Sequence, residues 1–183
     1  MRRKLLISTL IVVLLFTIAP FSGVLAKNVS NNPHKSVNFS APATILQVPG
    51  TANTVPLGGN YYKTTGEIMT GSLGTCTAWP AISGASIYME NTTYFTLDAN
   101  YNISGIDYAT ITFTVQGDTF KIYAAGTVDG NYLSSADTTL YWTEVSSSGS
   151  LKNTYACGKI DATFVWMSDT PGATGTFSGT VIK

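Results

Sequence analysis

Several residue types on which catalysis and nucleic-acid recognition depend are scarce in this 183-residue chain. Its only arginines are Arg2 and Arg3, its only histidine is His34, and charged residues make up 11% of the sequence. Because a Ser-His-Asp or Cys-His arrangement needs a histidine in the folded domain, these catalytic classes are excluded. Nucleic-acid binding is excluded as well, because it needs a basic face and arginines that contact phosphates and guanines.

Metal and cofactor sites are also missing from the sequence. Two cysteines and one histidine fall short of a zinc ligand set and lack its spacing. No glycine-rich phosphate loop precedes a helix, and no Asp-x-Asp ladder suggests a calcium loop. The sequence therefore predicts no metal and no cofactor.

The first residues have the pattern of an export signal. A positive segment at 2–4 is followed by an apolar run at 5–19 and by small or medium residues at 24–26. This pattern predicts cleavage after Ala26 and a protein that is secreted or displayed at the cell surface, with no membrane association afterwards. The alternative is an uncleaved anchor, because residues 5–26 are long enough to span a bilayer.

Beyond the predicted signal at 1–26, the chain divides into two regions. Residues 27–60 hold four of the seven prolines and no acidic residue, which indicates an extended tail or linker. Residues 61–183 form a single β domain. Without the signal, seven lysines face ten acidic residues, a net charge of −3.

The clearest structural signal is Tyr108 to Val128. Ile111, Phe113 and Val115 alternate with threonines, and a second alternating run follows the turn residues Gln116 to Asp118, so the segment predicts a β-hairpin. Similar strands are predicted near 61–70, 84–90, 93–103, 108–116, 119–128, 138–146, 158–167 and 174–182. The fold class is thus all-β, as a single antiparallel β-sandwich or an up-and-down β-barrel of about eight strands. The predicted core contains Ile111, Phe113, Val115, Phe120, Ile122, Leu140, Trp142, Ile160, Phe164 and Trp166.

One piece of the tail, residues 43–48, has the composition of a strand. Its flanking prolines place it at the edge of the domain's own sheet. The alternative is a donor strand that pairs with the open edge of a neighbouring subunit.

Cys76 and Cys157 lie 81 residues apart. In an exported chain an even pair predicts one disulfide that ties an early segment to a late one. The alternatives are a reactive thiol, which lacks a nearby base, and two unpaired, inert cysteines.

Paired carboxylates are the one catalytic device that the composition allows, because glycoside cleavage needs only two acids at a set separation. Glu144 is the weak candidate, since it is in phase with Leu140 and Trp142 and would be semi-buried if that face points inward. The alternative is that Glu144 points into water at the end of its strand. The acids considered are Glu67, Glu90, Asp98, Asp107, Asp118, Asp129, Glu144, Asp161 and Asp169.

Aromatic residues provide a second kind of candidate site. Exposed tyrosine and tryptophan rings can stack on the pyranose rings of sugars, although a tyrosine in a threonine-rich β protein can equally be a half-buried strand residue. The residues at predicted strand starts or in loops, where exposure is expected, are Tyr61, Tyr62, Trp79, Tyr132 and Tyr155.

The sequence favours a non-catalytic interaction domain, either a structural or an adhesive subunit that self-associates or contacts a surface glycan or protein. The first alternative is a glycan- or small-ligand-binding module with the ligand in a barrel mouth. The second is a carbohydrate-active enzyme that uses Glu144 with another acid.

Overall fold

The computed structural model describes residues 35–153 and 155–183. The predicted signal at 1–26, the beginning of the predicted tail and His34 lie outside these residues. The strands are β1 Ser36–Gln47, β2 Asn53–Gly58, β3 Tyr61–Leu73, β4 Ser86–Leu97, β5 Asn102–Val115, β6 Asp118–Asn131, β7 Ala136–Ser147, β8 Tyr155–Val165 and β9 Gly172–Ile182. Short 3₁₀ helices occupy Pro80–Ile82 and Gly149–Leu151. The all-β prediction is confirmed.

The part of the chain that the structure describes contains no helix that could span a membrane.

The nine strands within the described residues belong to one antiparallel sheet that closes into a ring. Neighbours follow the order β1-β9-β8-β7-β6-β5-β4-β3-β2, and β1 also pairs with β3. This last pairing sets Ala43 to Gln47 beside Met69 to Leu73. Consecutive strands from β3 to β9 pair with each other, so the predicted antiparallel arrangement is confirmed.

The predicted hairpin is formed by β5 and β6. Val115 pairs with Asp118, so the connection consists of Gln116 and Gly117 alone. Both residues have positive φ, 51° and 92°, as a type I′ turn requires. Glycine adopts this conformation without strain, whereas glutamine does not.

We therefore expect Gln116→Asn to stabilise the protein, by roughly 0.5–1 kcal/mol, because asparagine tolerates the left-handed conformation better. Urea denaturation measures the change. Gly117→Ala is the matched control and should have the opposite sign. A Gln116→Asn protein less stable than the parent would contradict this description of the turn.

Residues 35–60 differ from the predicted tail, because most of them lie in strands. β1 pairs with β9 from Ser36 to Leu46 and with β3 from Ala43 onward. The predicted strand at 43–48 is thus the end of a longer strand, and it is paired on both sides instead of lying at an edge. β2 pairs with β3, its six residues are exposed, and it contains Pro56, a residue typical of edge strands.

Inward-facing side chains pack densely at one end of the ring, called here the closed end. The connections 74–85 and 148–153 cross this end and bury Trp79, Ile82 and Leu151 almost completely. Seven predicted core residues are buried: Ile111, Phe113, Phe120, Ile122, Leu140, Trp142 and Phe164. Val115, Ile160 and Trp166 are partly buried and pack against this core.

The predicted disulfide is wrong, because both cysteines are free in this structure. Cys76 is fully buried in the connection between β3 and β4, where its backbone N–H donates to Ser83 Oγ. Cys157 lies on the outer face of β8, since strand side chains alternate and its neighbour Ala156 is buried in the core. The disulfide was predicted from the even number of cysteines. That number does not show which face of the domain each thiol occupies.

Candidate functional site

A cavity of about 700 Å³ lies inside the ring. This volume is within the usual range of small-molecule sites in proteins. Its floor is formed by Phe113, Leu140 and Phe177, which are nearly fully buried. The remaining wall residues include Ala43, Ile45, Met69, Ile87, Met89, Leu97, Ile103, Ile111, Val128, Thr138, Ile160, Ala162, Phe164 and Ala173.

The cavity extends from this floor toward the end opposite the closed end. There it reaches the connections between strands through Ala52, Tyr132, Trp166 and Pro171, which we call the mouth. Ala52 and Tyr132 are exposed to solvent. The closed end is sealed by buried side chains, so a ligand would enter through the mouth.

Aromatic pairs line the mouth side of the cavity. Tyr62 stacks on Phe95 with ring centroids 5.6 Å apart, and Tyr132 packs against Trp166 at the same separation. Two of the five predicted aromatic residues, Tyr62 and Tyr132, are thus brought into one cavity wall.

The other three lie elsewhere. Tyr61 and Tyr155 are exposed on the outer face of the ring, 59% and 52%. Trp79 is 1% exposed, so the expectation of an exposed ring is wrong there. The physical reason is that its loop folds inward over the closed end, where the indole contacts Phe39 and Phe120 edge-on.

One wall of the otherwise apolar cavity carries a buried polar cluster, formed by Glu67, Asn91 and Asp107. These side chains are 7%, 5% and 5% exposed and come from the adjacent strands β3, β4 and β5. Register places Glu67 opposite Asn91. The Asn91 amide nitrogen lies 3.4 Å from Asp107 Oδ1, to which it donates.

Neighbouring side chains add two hydrogen bonds to the cluster. The Thr93 hydroxyl donates a hydrogen bond to Asp107 Oδ1 at 2.8 Å, and the Gln47 side-chain amide donates one to Glu67 Oε1 at 2.7 Å. Asn91 Oδ1, although buried, has no hydrogen-bond partner within the described part of the chain. All of these polar groups line the cavity, and its wall contains no lysine or histidine among the described residues.

A bulge in β3 explains how Glu67 comes to face the cavity. Simple alternation from Tyr62 and Thr64 would point residue 66 inward, but the register shifts between Thr65 and Glu67. Gly66 occupies the bulge with φ 67°, a conformation that suits glycine. Glu67 therefore joins Thr64 on the inner face.

Burial raises the pKa of both carboxyl groups in the cluster. For Glu67, the adjacent Asn91 side chain opposes this shift, and the charge of Asp107 adds to it. For Asp107, hydrogen bonds from Thr93, Asn91 and the Tyr108 backbone oppose it. Both groups thus hold their protons to a higher pH than ordinary carboxyls do.

This shift predicts a pH dependence of stability. The usual pKa values are 4.5 for Glu67 and 3.8 for Asp107, and the folded values lie higher. As the pH rises from the usual pKa values to the higher folded values, the two carboxyls lose their protons in the unfolded chain first. These two groups therefore contribute less and less to the free energy of unfolding. The contribution of each group is complete only below its usual pKa.

Urea unfolding at about pH 4, 5.5 and 7 measures this contribution as the difference between the parent and Glu67→Gln. We expect the variant to gain relative stability as pH rises. Glu90→Gln, which changes an exposed acid on the outer face of β4, is the control and should track the parent. A parent-minus-variant difference that stays constant with pH would contradict the raised pKa.

Glu144, the acid that the sequence singled out, lies apart from this cluster. It is half-buried at the end of β7, where Oε1 accepts a hydrogen bond from Ser147 Oγ. Its Oε2 is buried without a partner among the described residues. Glu144 does not line the cavity, so the structure does not bring it together with Glu67 or Asp107.

Within residues 35–153 and 155–183, no group of three or more histidine, cysteine, aspartate or glutamate side chains is placed to hold a metal ion.

In comparisons with protein-family models, curated proteins and solved structures, no match to this chain was found.

Proposed function

We propose that the protein binds a small, largely apolar molecule inside its closed sheet, which serves as a β-barrel with one open mouth. The observation that carries this proposal is the cavity of about 700 Å³ with an apolar floor and one polar wall. Binding pockets for small molecules have this composition: mostly apolar and aromatic, with a few polar groups that fix orientation.

The small number of polar side chains around the cavity favours an apolar ligand over a glycan. A sugar buried there would need a hydrogen-bond partner for each hydroxyl, and the wall offers mainly aliphatic and aromatic side chains. The export signal predicted at 1–26 makes us propose a secreted or surface-exposed carrier or receptor. Binding in this form needs no catalytic group.

Self-association through an added β-strand has weaker support. The segment predicted to be donated, 43–48, lies largely within β1, which pairs with both β9 and β3. β2 offers an edge, but Pro56 cannot donate a ladder hydrogen bond and the register shifts between Pro56 and Gly58. An adhesive role through the outer face is the second candidate, favoured by exposed tyrosines on four adjacent strands: Tyr88, Tyr94, Tyr108, Tyr123 and Tyr141.

Titration of the full chain with Nile red, a neutral apolar dye that fluoresces when shielded from water, tests the proposed function. We expect saturable binding of one dye per chain, with Kd on the order of 10 μM. 1-Octanol should compete for the same site. Fluorescence that rises without saturation, or that octanol leaves unchanged, would overturn the proposal.

A further inference from the structure

We propose that the cluster of Glu67, Asn91 and Asp107 binds the protonated amine of an apolar ligand, so that the cavity selects amphiphilic amines. This inference rests on the proposed function, since it names the head group of the molecule that the cavity would hold.

The geometry of the cluster indicates a ligand that donates hydrogen bonds. Asn91 Oδ1 is a buried acceptor without a partner among the described residues, and it belongs to a side chain that lines the cavity. A buried carbonyl without a hydrogen bond is unfavourable, and a donor on the ligand would offset this cost. The carboxyl groups of Glu67 and Asp107 are acceptors when ionised. An ammonium group has three N–H donors for these three acceptor residues.

The charge of the wall indicates that the donor is a cation. Two buried acids share one side of the cavity, and the groups that hydrogen-bond to them, Gln47, Thr93 and Asn91, are all neutral. The other titratable side chains in the wall are Tyr62 and Tyr132. A buried carboxylate is stable only when it is paired or protonated, and nothing in the described wall supplies a positive charge.

The same arrangement discriminates against other head groups. An alcohol donates a single hydrogen bond and leaves the carboxylate charge uncompensated, while a fatty acid would add a third carboxyl group beside Glu67 and Asp107. Repulsion of this kind is a common source of ligand specificity. The order of affinity should therefore be amine, then alcohol, then acid.

Three ligands of equal chain length test this order: octylamine, 1-octanol and octanoate, each in competition with Nile red at about pH 7.5. We expect octylamine to bind at least about tenfold more tightly than octanol, and octanoate to bind more weakly than octanol. Equal affinities for the three would overturn the amine site and leave the proposed function intact. If Nile red itself does not bind, the proposed function fails and the amine site with it.

The substitutions Glu67→Gln and Asp107→Asn test whether these two carboxyl groups cause the preference for amines. Each should weaken octylamine binding by about 10- to 100-fold and leave octanol binding within about threefold, because a charged hydrogen bond is lost while volume is kept. Glu90→Gln, on the outer face, is the control and should bind like the parent. Unchanged amine affinity in both cluster variants would overturn the assignment.

The pH dependence of ligand binding to the parent protein tests the same contact without any substitution. As the pH is lowered from about 7.5 to about 4, protons compete with the ammonium for the two carboxyl groups. Octylamine affinity should therefore fall at least about tenfold, whereas octanol affinity should stay constant. A parallel decline for both ligands, or no decline for the amine, would contradict the proposed contact.

Discussion

Ala162→Trp is expected to weaken Nile red binding at least about tenfold, because the new indole would occupy space that the ligand needs. Ala162 is half-buried on the inner face of β8 and lines the cavity between Ile160 and Phe164. The neighbouring strands β7 and β9 place Thr138 and Gly175 opposite it, so small side chains surround the position.

Thr176→Trp is the matched control, since it adds the same side chain to an exposed position on β9. The control should bind the dye like the parent. Ala43→Phe adds a large side chain to the same cavity from strand β1, so it should also weaken binding. Weakened binding in both variants would show that the loss does not come from a local distortion at Ala162. Circular dichroism shows whether each variant keeps its β-structure. If Ala162→Trp and Ala43→Phe both fold and both bind the dye as tightly as the parent, the dye does not bind in this cavity.

Trp79→Ala is expected to reduce the free energy of unfolding by about 3–5 kcal/mol, the usual range for removal of a fully buried large aromatic side chain. The indole packs edge-on against Phe39 and Phe120, with centroids 5.1 Å and 5.3 Å away. The Lys183 ammonium lies 5.8 Å from the ring centroid. These contacts fasten the connection 74–85 over the closed end.

Trp79→Phe separates the packing of this ring from its polar group. Trp79 Nε1 is buried without a hydrogen-bond partner among the described residues, so phenylalanine removes an unsatisfied donor and keeps an aromatic ring. We expect it to lose much less stability than Trp79→Ala in urea denaturation. Both variants should bind Nile red like the parent, because Trp79 does not line the cavity. If either variant lost Nile red binding while its stability stayed unchanged, Trp79 would be an exposed ligand-binding ring, as the sequence suggested.

Local patterns were sufficient to predict most of the strands. The alternation of Ile111, Phe113 and Val115 with threonines predicts β5, and Gly117 identifies the turn. These signals depend only on residues adjacent in sequence. Closure of the ring was not predictable in this way, because it requires β1 to pair with both β3 and β9, far apart along the chain.

The polar cluster was missed because polar residues at inward positions interrupt the apolar alternation. β4 was divided into two predicted strands around Asn91, although Met89, Asn91 and Thr93 share the inner face. Glu67 lies behind a bulge, which changes the phase of β3. Asp107 could have been found by continuing the alternation of Ile111 and Ala109 by one more step, but the predicted strand began at Tyr108.

NMR of the methionine methyl groups shows directly whether a ligand occupies the interior of the ring. The chain has four methionines, of which Met69 and Met89 line the cavity and are 3% and 5% exposed. Met167 is 56% exposed and lies outside the cavity wall, so it is a control within the same molecule. In a titration of ¹³C-methyl-methionine protein with 1-octanol, the Met69 and Met89 signals should shift and saturate together while Met167 stays unchanged. Shifts confined to Met167, or no shift at Met69 and Met89 at saturating octanol, would contradict binding inside the ring.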